Sequence, residues 1–431
     1  MCGIEGEVYF SWMSDLRRKR EKKKESMTTQ KTPEGSPSAE DSSVANSPCC
    51  GGTGLGPGRR LVSLDVLRGF DMLFIMGFSV LVQKLCTAFG WGGNCWLSQQ
   101  MAHVDWNGLT HHDTIFPLFL FIAGVAWPFS CAKQVARGDS PRTVALRCLK
   151  RAVLLAALGV IYTGFLGNFE KYRFTTVLAR IGFAWMFAAW LHLFAGMRTR
   201  IAVAAALLIG YWVFSVLVGA PDHPGASPLS PEGCFTGWLD RTYVPGIILG
   251  PKGANGASLM DNQSLLGIFP ATVTAMLGVF AGECLRAPAV SGGRKTVLLL
   301  LAAATLLVVG LFVAFGFGRW SMPINKKLWS SSFVLVVGAY STALLAVFYW
   351  LIDVKGWWRH HLFFKVIGMN SITIYLAQVI IPFKPIAANL FGGTAALLPP
   401  AWGAVLLATG YIAVCWFFLY FLYRKNVFLK V

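Results

Sequence analysis

Residues 101–113 read Met-Ala-His-Val-Asp-Trp-Asn-Gly-Leu-Thr-His-His-Asp and run directly into the apolar stretch Ile115-Phe-Pro-Leu-Phe-Leu-Phe-Ile-Ala-Gly124. His103, His111 and His112 are three of the chain's 7 histidines, and Asp105, Asn107 and Asp113 stand among them. A neutral imidazole takes a proton from an amine or hydroxyl, and a neighbouring carboxylate fixes its tautomer. On residue types alone a second reading stays open, in which this is a polar interfacial loop with Trp106 as its aromatic anchor.

Other polar groups stand in apolar surroundings. Asp65, Arg68 and Asp71 recur at helical i, i+3, i+6 spacing, so that Asp65 and Arg68 can pair on one face. Arg180 and Glu283 are lone charges within apolar runs, suited either to ion pairing between helices or to a substrate or cofactor path. The segment Met322-Pro-Ile-Asn-Lys-Lys-Leu-Trp-Ser-Ser-Ser332 carries Asn325, Lys326 and Lys327, and Asn370 with Ser371 puts hydrogen-bonding groups inside another apolar run. The ten cysteines are scattered with no pair at metal-site spacing, so no metal site is expected. Cys95 and Cys234 are the pair placed to bridge in an oxidising compartment.

The elements that position these residues must lie in lipid. The chain has 431 residues, 55% hydrophobic and 13% charged, with mean hydropathy +0.56. That composition excludes a soluble enzyme, a disordered protein and a nucleic-acid-binding module. Apolar runs of about 20 residues, long enough to cross a bilayer as helices, fall near 66–89, 113–132, 147–167, 176–196, 200–219, 264–285, 295–318, 331–352, 362–383 and 401–423. The expected fold is therefore all-α and integral to the membrane, with about ten transmembrane helices over residues 61–431. Residues 1–60 hold basic runs followed by Ser, Thr, Pro and Gly, which predicts a disordered cytoplasmic tail.

Charge sets the expected orientation. The formal charge is +18, and the tail contributes only +2 of it (10 basic minus 8 acidic residues). Loops after the even-numbered spans plus the C-terminal tail hold 16 Lys and Arg, against 8 on the other side. The positive-inside rule then puts both termini in the cytoplasm and the His103 cluster on the extracytoplasmic side. Lys326 and Lys327 run against that rule, which makes them candidates for holding an anion.

At these residues the sequence resembles the heparan-α-glucosaminide N-acetyltransferase family and its bacterial relatives, which are multi-pass transmembrane acyltransferases. The matching stretches include Arg60-Leu-Val-Ser-Leu-Asp-Val-Leu-Arg-Gly69, His103-Val-Asp-Trp-Asn-Gly-Leu-Thr110 with Asp113, and Val177-Leu-Ala-Arg180. Gly237-Trp-Leu-Asp-Arg241, Pro323-Ile-Asn-Lys-Lys-Leu-Trp-Ser330, Gly368-Met-Asn-Ser371 and the terminal Tyr423–Lys430 follow in order. The resemblance implies transfer of an acetyl group from acetyl-CoA, entering from the cytosol, to a sugar amine or hydroxyl on the outer face. It makes His103 the catalytic histidine. Asp113, at the start of the following helix, is then near enough to orient the imidazole, and Asn107 can offer an oxyanion donor. Arg68, Arg180, Asn325, Lys326, Lys327 and Asn370 are then the candidates for binding the acetyl-CoA co-substrate.

The implied partners are the bilayer and a glycan or amino-sugar acceptor, with a homo-oligomer left open and no nucleic acid. Ser79 stands where the family has an assisting asparagine, Asn262-Gln-Ser264 replaces Pro-Glu-Gly, and Gln378 replaces a histidine. Heparan as the acceptor therefore does not follow from the resemblance. The alternative function is a multi-pass transporter or exporter of a polar or anionic solute, for which the intramembrane charges would line the path.

Overall fold

A long apolar run in lipid satisfies its own backbone only by forming a helix or closing a barrel. In this chain the outcome is helix. The structure, a computed structural model, describes residues 61–164, 172–357 and 361–429. The expected tail over 1–60, Arg60 of the first motif and Lys430 of the last lie outside the described residues. Among the described residues the only strand-type pairings are three isolated bridges, Arg173 with Gly246, Gly219 with Cys234 and Lys252 with Ser258.

Helix stands at each of the ten expected positions. Among the described residues, seven helices are long and apolar enough to cross a membrane unbroken: His111–Val135, Val177–Phe194, Met197–Leu217, Ile268–Arg286, Gly292–Phe315, Ser331–Val354 and Pro400–Arg424. The pair Leu362–Met369 and Ser371–Ile380, bent by 71° at Asn370, makes up to eight. The other two positions depart from the ideal for identifiable reasons. Val62–Leu73 and Ser79–Ala88 are joined through a π-helical turn in which Gly77 has φ 114, so the first span is kinked. Pro141–Tyr162 carries Arg142, Arg147, Lys150 and Arg151 on its first turns, which lowers its apolarity; Ser140 caps it by accepting from the Thr143 N–H.

Four helices form the centre. The apolar windows of His111–Val135, Val177–Phe194, Ile268–Arg286 and Ser331–Val354 are 67% buried, against 22% for Met197–Leu217 and Pro400–Arg424 at the periphery. Lipid offers no hydrophobic drive for helix pairing, so close approach relies on small residues. His111–Val135 crosses Ile268–Arg286 at Gly124 and Gly278: a Cβ on Gly124 would collide with the Ala275 carbonyl, and one on Gly278 with the Phe121 carbonyl.

Several charges inside the bundle are paired in place. Arg200 holds Glu283 through two bonds of 3.0 Å, His192 Nε2 lies 3.2 Å from the same carboxylate, and the Trp127 indole N–H donates to His192 Nδ1 at 3.1 Å. Asp65 and Arg68 pair at 3.5 Å as their spacing predicts, whereas Asp71 is buried with Oδ2 unpaired. Cys95 and Cys234 are both free thiols; Cys95 packs beside Cys86 and Cys234 is buried, so the bridge between Cys95 and Cys234 is not formed.

The 220–263 connection is knit around two aspartates. Asp240, on the helix Phe235–Tyr243, accepts from the backbone N–H groups of Asp261 and Leu265 at 3.1 Å each. Asp261 in turn accepts from Arg173 Nε at 3.0 Å and from the Leu249 and Gln263 N–H groups at 3.1 and 2.7 Å. Burial pushes the Asp240 carboxyl up to about 7, more than its two N–H donors pull it down.

Two predictions follow from these contacts. Gly278→Leu forces backbone against side chain and should lower stability in detergent by more than about 2 kcal/mol, read by chemical or thermal unfolding; wild-type stability would show that the crossing is not tight. Because the folded state raises the Asp240 pKa, its contribution is present in full below the ordinary carboxyl range and is lost as pH rises through about 7. The difference in melting temperature between wild type and Asp240→Asn should therefore change with pH between 4 and 8; a constant difference would remove Asp240 as its cause.

Candidate functional site

The helix His111–Val135 begins with Thr110 in extended conformation, and Asp113 lies in its first turn, where the helix dipole favours a carboxylate. The preceding loop folds back over that turn. Asp113 Oδ2 accepts from the Val104 N–H at 3.3 Å, and the Thr110 hydroxyl, 2.9 Å away, has its single proton placed between this oxygen and the Ala102 carbonyl at 2.6 Å. These contacts bring His103 Nδ1 to 2.7 Å from Asp113 Oδ1.

The geometry determines the tautomer. Asp113 is 2% exposed and offers only acceptors, so the Nδ1 proton of His103 points at it and the free lone pair is on Nε2. The His103 side chain is 57% exposed, which leaves Nε2 open to an incoming group. A buried carboxylate behind an accessible imidazole is the arrangement that general-base catalysis requires.

Lys326 enters from the Met322–Ser332 segment. Its Nζ is 3.1 Å from Asp113 Oδ1 and 3.3 Å from His103 Nδ1. Since Nδ1 already donates, the lysine's acceptor is the carboxylate. Burial pushes the Lys326 ammonium below its ordinary value, and the Asp113 carboxylate opposes that shift. Burial likewise lowers Lys327, whose Nζ donates to the Asp105 carbonyl.

The same segment holds the loop along its length. The Gly108 N–H donates to the Ile324 carbonyl at 2.8 Å, and Asn325 Nδ2 donates to Asn107 Oδ1 at 3.1 Å. The Leu328 N–H donates to Asn325 Oδ1 at 2.9 Å, which fixes the orientation of the Asn325 amide and so of Asn107. With its oxygen accepting from Asn325, exposed Asn107 keeps its NH2 group as a hydrogen-bond donor.

Six of the nine residues singled out from sequence thus meet here: His103, Asp113, Asn107, Asn325, Lys326 and Lys327. Asn325 is fully buried and serves as a strut. Arg180 is 1% exposed beneath the segment, with Nη2 donating to the Ser264 carbonyl at 2.9 Å. Arg68 belongs to the pair with Asp65, and Asn370 is buried at the 71° bend; neither touches the His103 cluster among the described contacts.

Two residues outside those nine, His112 and Ser79, join the site. The His112 ring lies 4.5 Å from that of His103, and its Nδ1 is 3.0 Å from Ser79 Oγ. His111, from the same turn, points instead between Phe74 and Tyr340, with ring distances of 4.4 and 6.2 Å. Successive helical residues diverge by about 100°, so a His-His-Asp triplet at a helix start sends its members to different neighbours, and only His112 and Asp113 reach His103.

No family model matches the chain. It is 27% identical over 422 residues to the heparan-alpha-glucosaminide N-acetyltransferase of Homo sapiens, an alignment covering 86% of this chain and 60% of that protein. Against the protein of the same name from Mus musculus it is 26% identical over 368 residues, covering 75% of this chain and 54% of the relative. The chain thus spans less than two thirds of the length of these relatives. It is a multi-pass, all-helical membrane protein distantly homologous to heparan-alpha-glucosaminide N-acetyltransferase.

Proposed function

We propose that the chain transfers an acetyl group from acetyl-CoA to an amine or hydroxyl of a glycan on the extracytoplasmic face, with both termini in the cytoplasm. The observation that carries this reading is the Asp113–His103 pair, 2.7 Å apart, with one partner buried and the other open. His103 Nε2 takes the proton of the acceptor as its nitrogen or oxygen attacks the thioester carbonyl. Asn107 NH2 stabilises the oxyanion, and the imidazolium returns the proton to the departing thiolate of CoA. One acceptor–acyl bond forms, the C–S bond breaks, and the net proton transfer is from acceptor to thiol. The same Nε2 can instead carry the acetyl group as a transient acyl-imidazole; exchange of labelled CoA into acetyl-CoA without acceptor distinguishes that route.

The distant homologues bear the acetyltransferase name, which supports acetyl-CoA as donor. The acceptor is assigned only to the class of glycan amines and hydroxyls. Against the transporter reading stand Glu283 with Arg200 and Asp65 with Arg68, which are closed pairs and not an open row of charges. Acetyl-CoA at a hundredfold above its Kd should stabilise the purified protein by about 2.7 kcal/mol, and no stabilisation would favour the transporter.

His103→Ala should lower acetyl transfer from radiolabelled acetyl-CoA to amino sugars by about 10²–10⁴ while acetyl-CoA still binds; more than about a tenth of wild-type turnover would return the cluster to an interfacial anchor. For orientation, single cysteines in place of Asn255 and Ser140, both exposed, should react with a membrane-impermeant thiol reagent from opposite sides. Modification of both from one side would overturn the topology.

A further inference from the structure

Trp329 has φ 55, a left-handed conformation that a bulky side chain rarely adopts. Strain of this kind persists only where surrounding structure holds it, and it clusters at functional sites. The indole is fully buried, donates its N–H to Thr274 Oγ1 at 3.2 Å, and meets the Phe116 and Phe333 rings edge-on at 5.1 and 5.2 Å. Phe116 lies one turn below Asp113 on the same helix. The Arg180 guanidinium stands over the Trp329 ring, 4.9 Å from its centroid. Arg180 Nε and Nη1 make no hydrogen bond, so beyond Ser264 and the through-space attraction of Asp261 and Asp240 the indole face is the contact that holds this buried cation.

The strained residue closes the turn that carries Lys326. The Trp329 N–H donates to the Lys326 carbonyl at 3.1 Å, and the Ser330 N–H donates to the Asn325 carbonyl at 3.0 Å. The backbone of Trp329 is thus part of the same turn as Lys326 and Asn325.

We propose that Arg180 and Trp329 are a positioning pair: the guanidinium holds the indole, the indole holds the turn, and the turn presents Lys326 to Asp113 and Asn325 to Asn107. Arg180 is then a support of the site and not a contact for acetyl-CoA. The catalytic consequence rests on the acyl-transfer reading, whereas the placement of Lys326 rests on geometry alone.

Glycine adopts φ 55 without strain, so Trp329→Gly preserves the turn if conformation is all that matters and loosens it if the indole matters. The primary readout needs no enzymatic activity. The purified full chain is treated with an amine-reactive acylating reagent, and labelling of Lys326 is followed by mass spectrometry, with exposed Lys252 as internal reference. In Trp329→Gly and Arg180→Met, Lys326 should label about tenfold faster relative to Lys252, as expected for loss of a charge-assisted hydrogen bond. Trp329→Phe and Arg180→Lys, which keep the ring or the charge, should show a smaller rise of about threefold and serve alone if the first two variants do not fold.

In folded variants kcat should fall about a hundredfold with the KM for acetyl-CoA little changed, and the conservative variants should recover part of it. Lys326 labelling at the wild-type rate in the folded variants would overturn the proposal. A KM for acetyl-CoA raised tenfold with kcat unchanged would return Arg180 to cofactor binding and overturn it equally. Absence of acetyl transfer in the wild type, with labelling altered as stated, would remove the acyl-transfer reading and leave the positioning pair standing.

Discussion

One carboxylate oxygen organises the site. Asp113 Oδ1 receives both His103 and Lys326, at 2.7 and 3.1 Å, and the other oxygen is held by the Val104 N–H and the Thr110 hydroxyl. A carboxylate at the head of a membrane helix is costly unless its lone pairs are met. Meeting them pulls a loop, a helix start and a distant turn into one place. What solves the burial problem of Asp113 also leaves His103 with a free, accessible Nε2.

The rest of the bundle makes that convergence possible. His111–Val135 and Ile268–Arg286 approach until the backbone at Gly124 and Gly278 leaves no room for a Cβ. Ser331–Val354, which packs in the same core, carries the Met322–Ser332 segment at its head. Ser330 caps this helix by accepting from the Phe333 N–H at 3.2 Å and also accepts from the Asn325 N–H at 3.0 Å. The hydroxyl that caps a core helix thus also holds the strut of the site, so the position of Asn325 follows the position of the bundle.

Much of this was legible in the sequence because lipid makes sequence patterns simple. Ten apolar runs fell on ten helical positions, and Asp65 and Arg68 paired as their spacing requires. Asp113, Asn107, Asn325 and Lys326 could be singled out because polar groups at a membrane boundary are costly without a purpose. The kink at Gly77 and the bend at Asn370 were hidden, since a π-turn and a broken helix leave hydropathy unchanged. Arg180 reads from the sequence as a candidate cofactor contact, and a lone charge in an apolar run does not announce that an aromatic face from nearly 150 residues away in the chain lies against it. Trp329 reads as one more buried aromatic, and only its backbone angle sets it apart.

The account stands on Asp113 holding His103 with its proton on Nδ1. Asp113→Asn tests this most directly, because a carboxamide at that position can donate to Nδ1 and so move the imidazole proton to Nε2. The measurement is kcat for acetyl transfer alongside the Kd for acetyl-CoA, on the purified full chain in detergent. The account predicts a fall in kcat of at least about a hundredfold with Kd changed by less than a few fold. Turnover of Asp113→Asn within about tenfold of wild type, or an equal loss in acetyl-CoA binding, would contradict it.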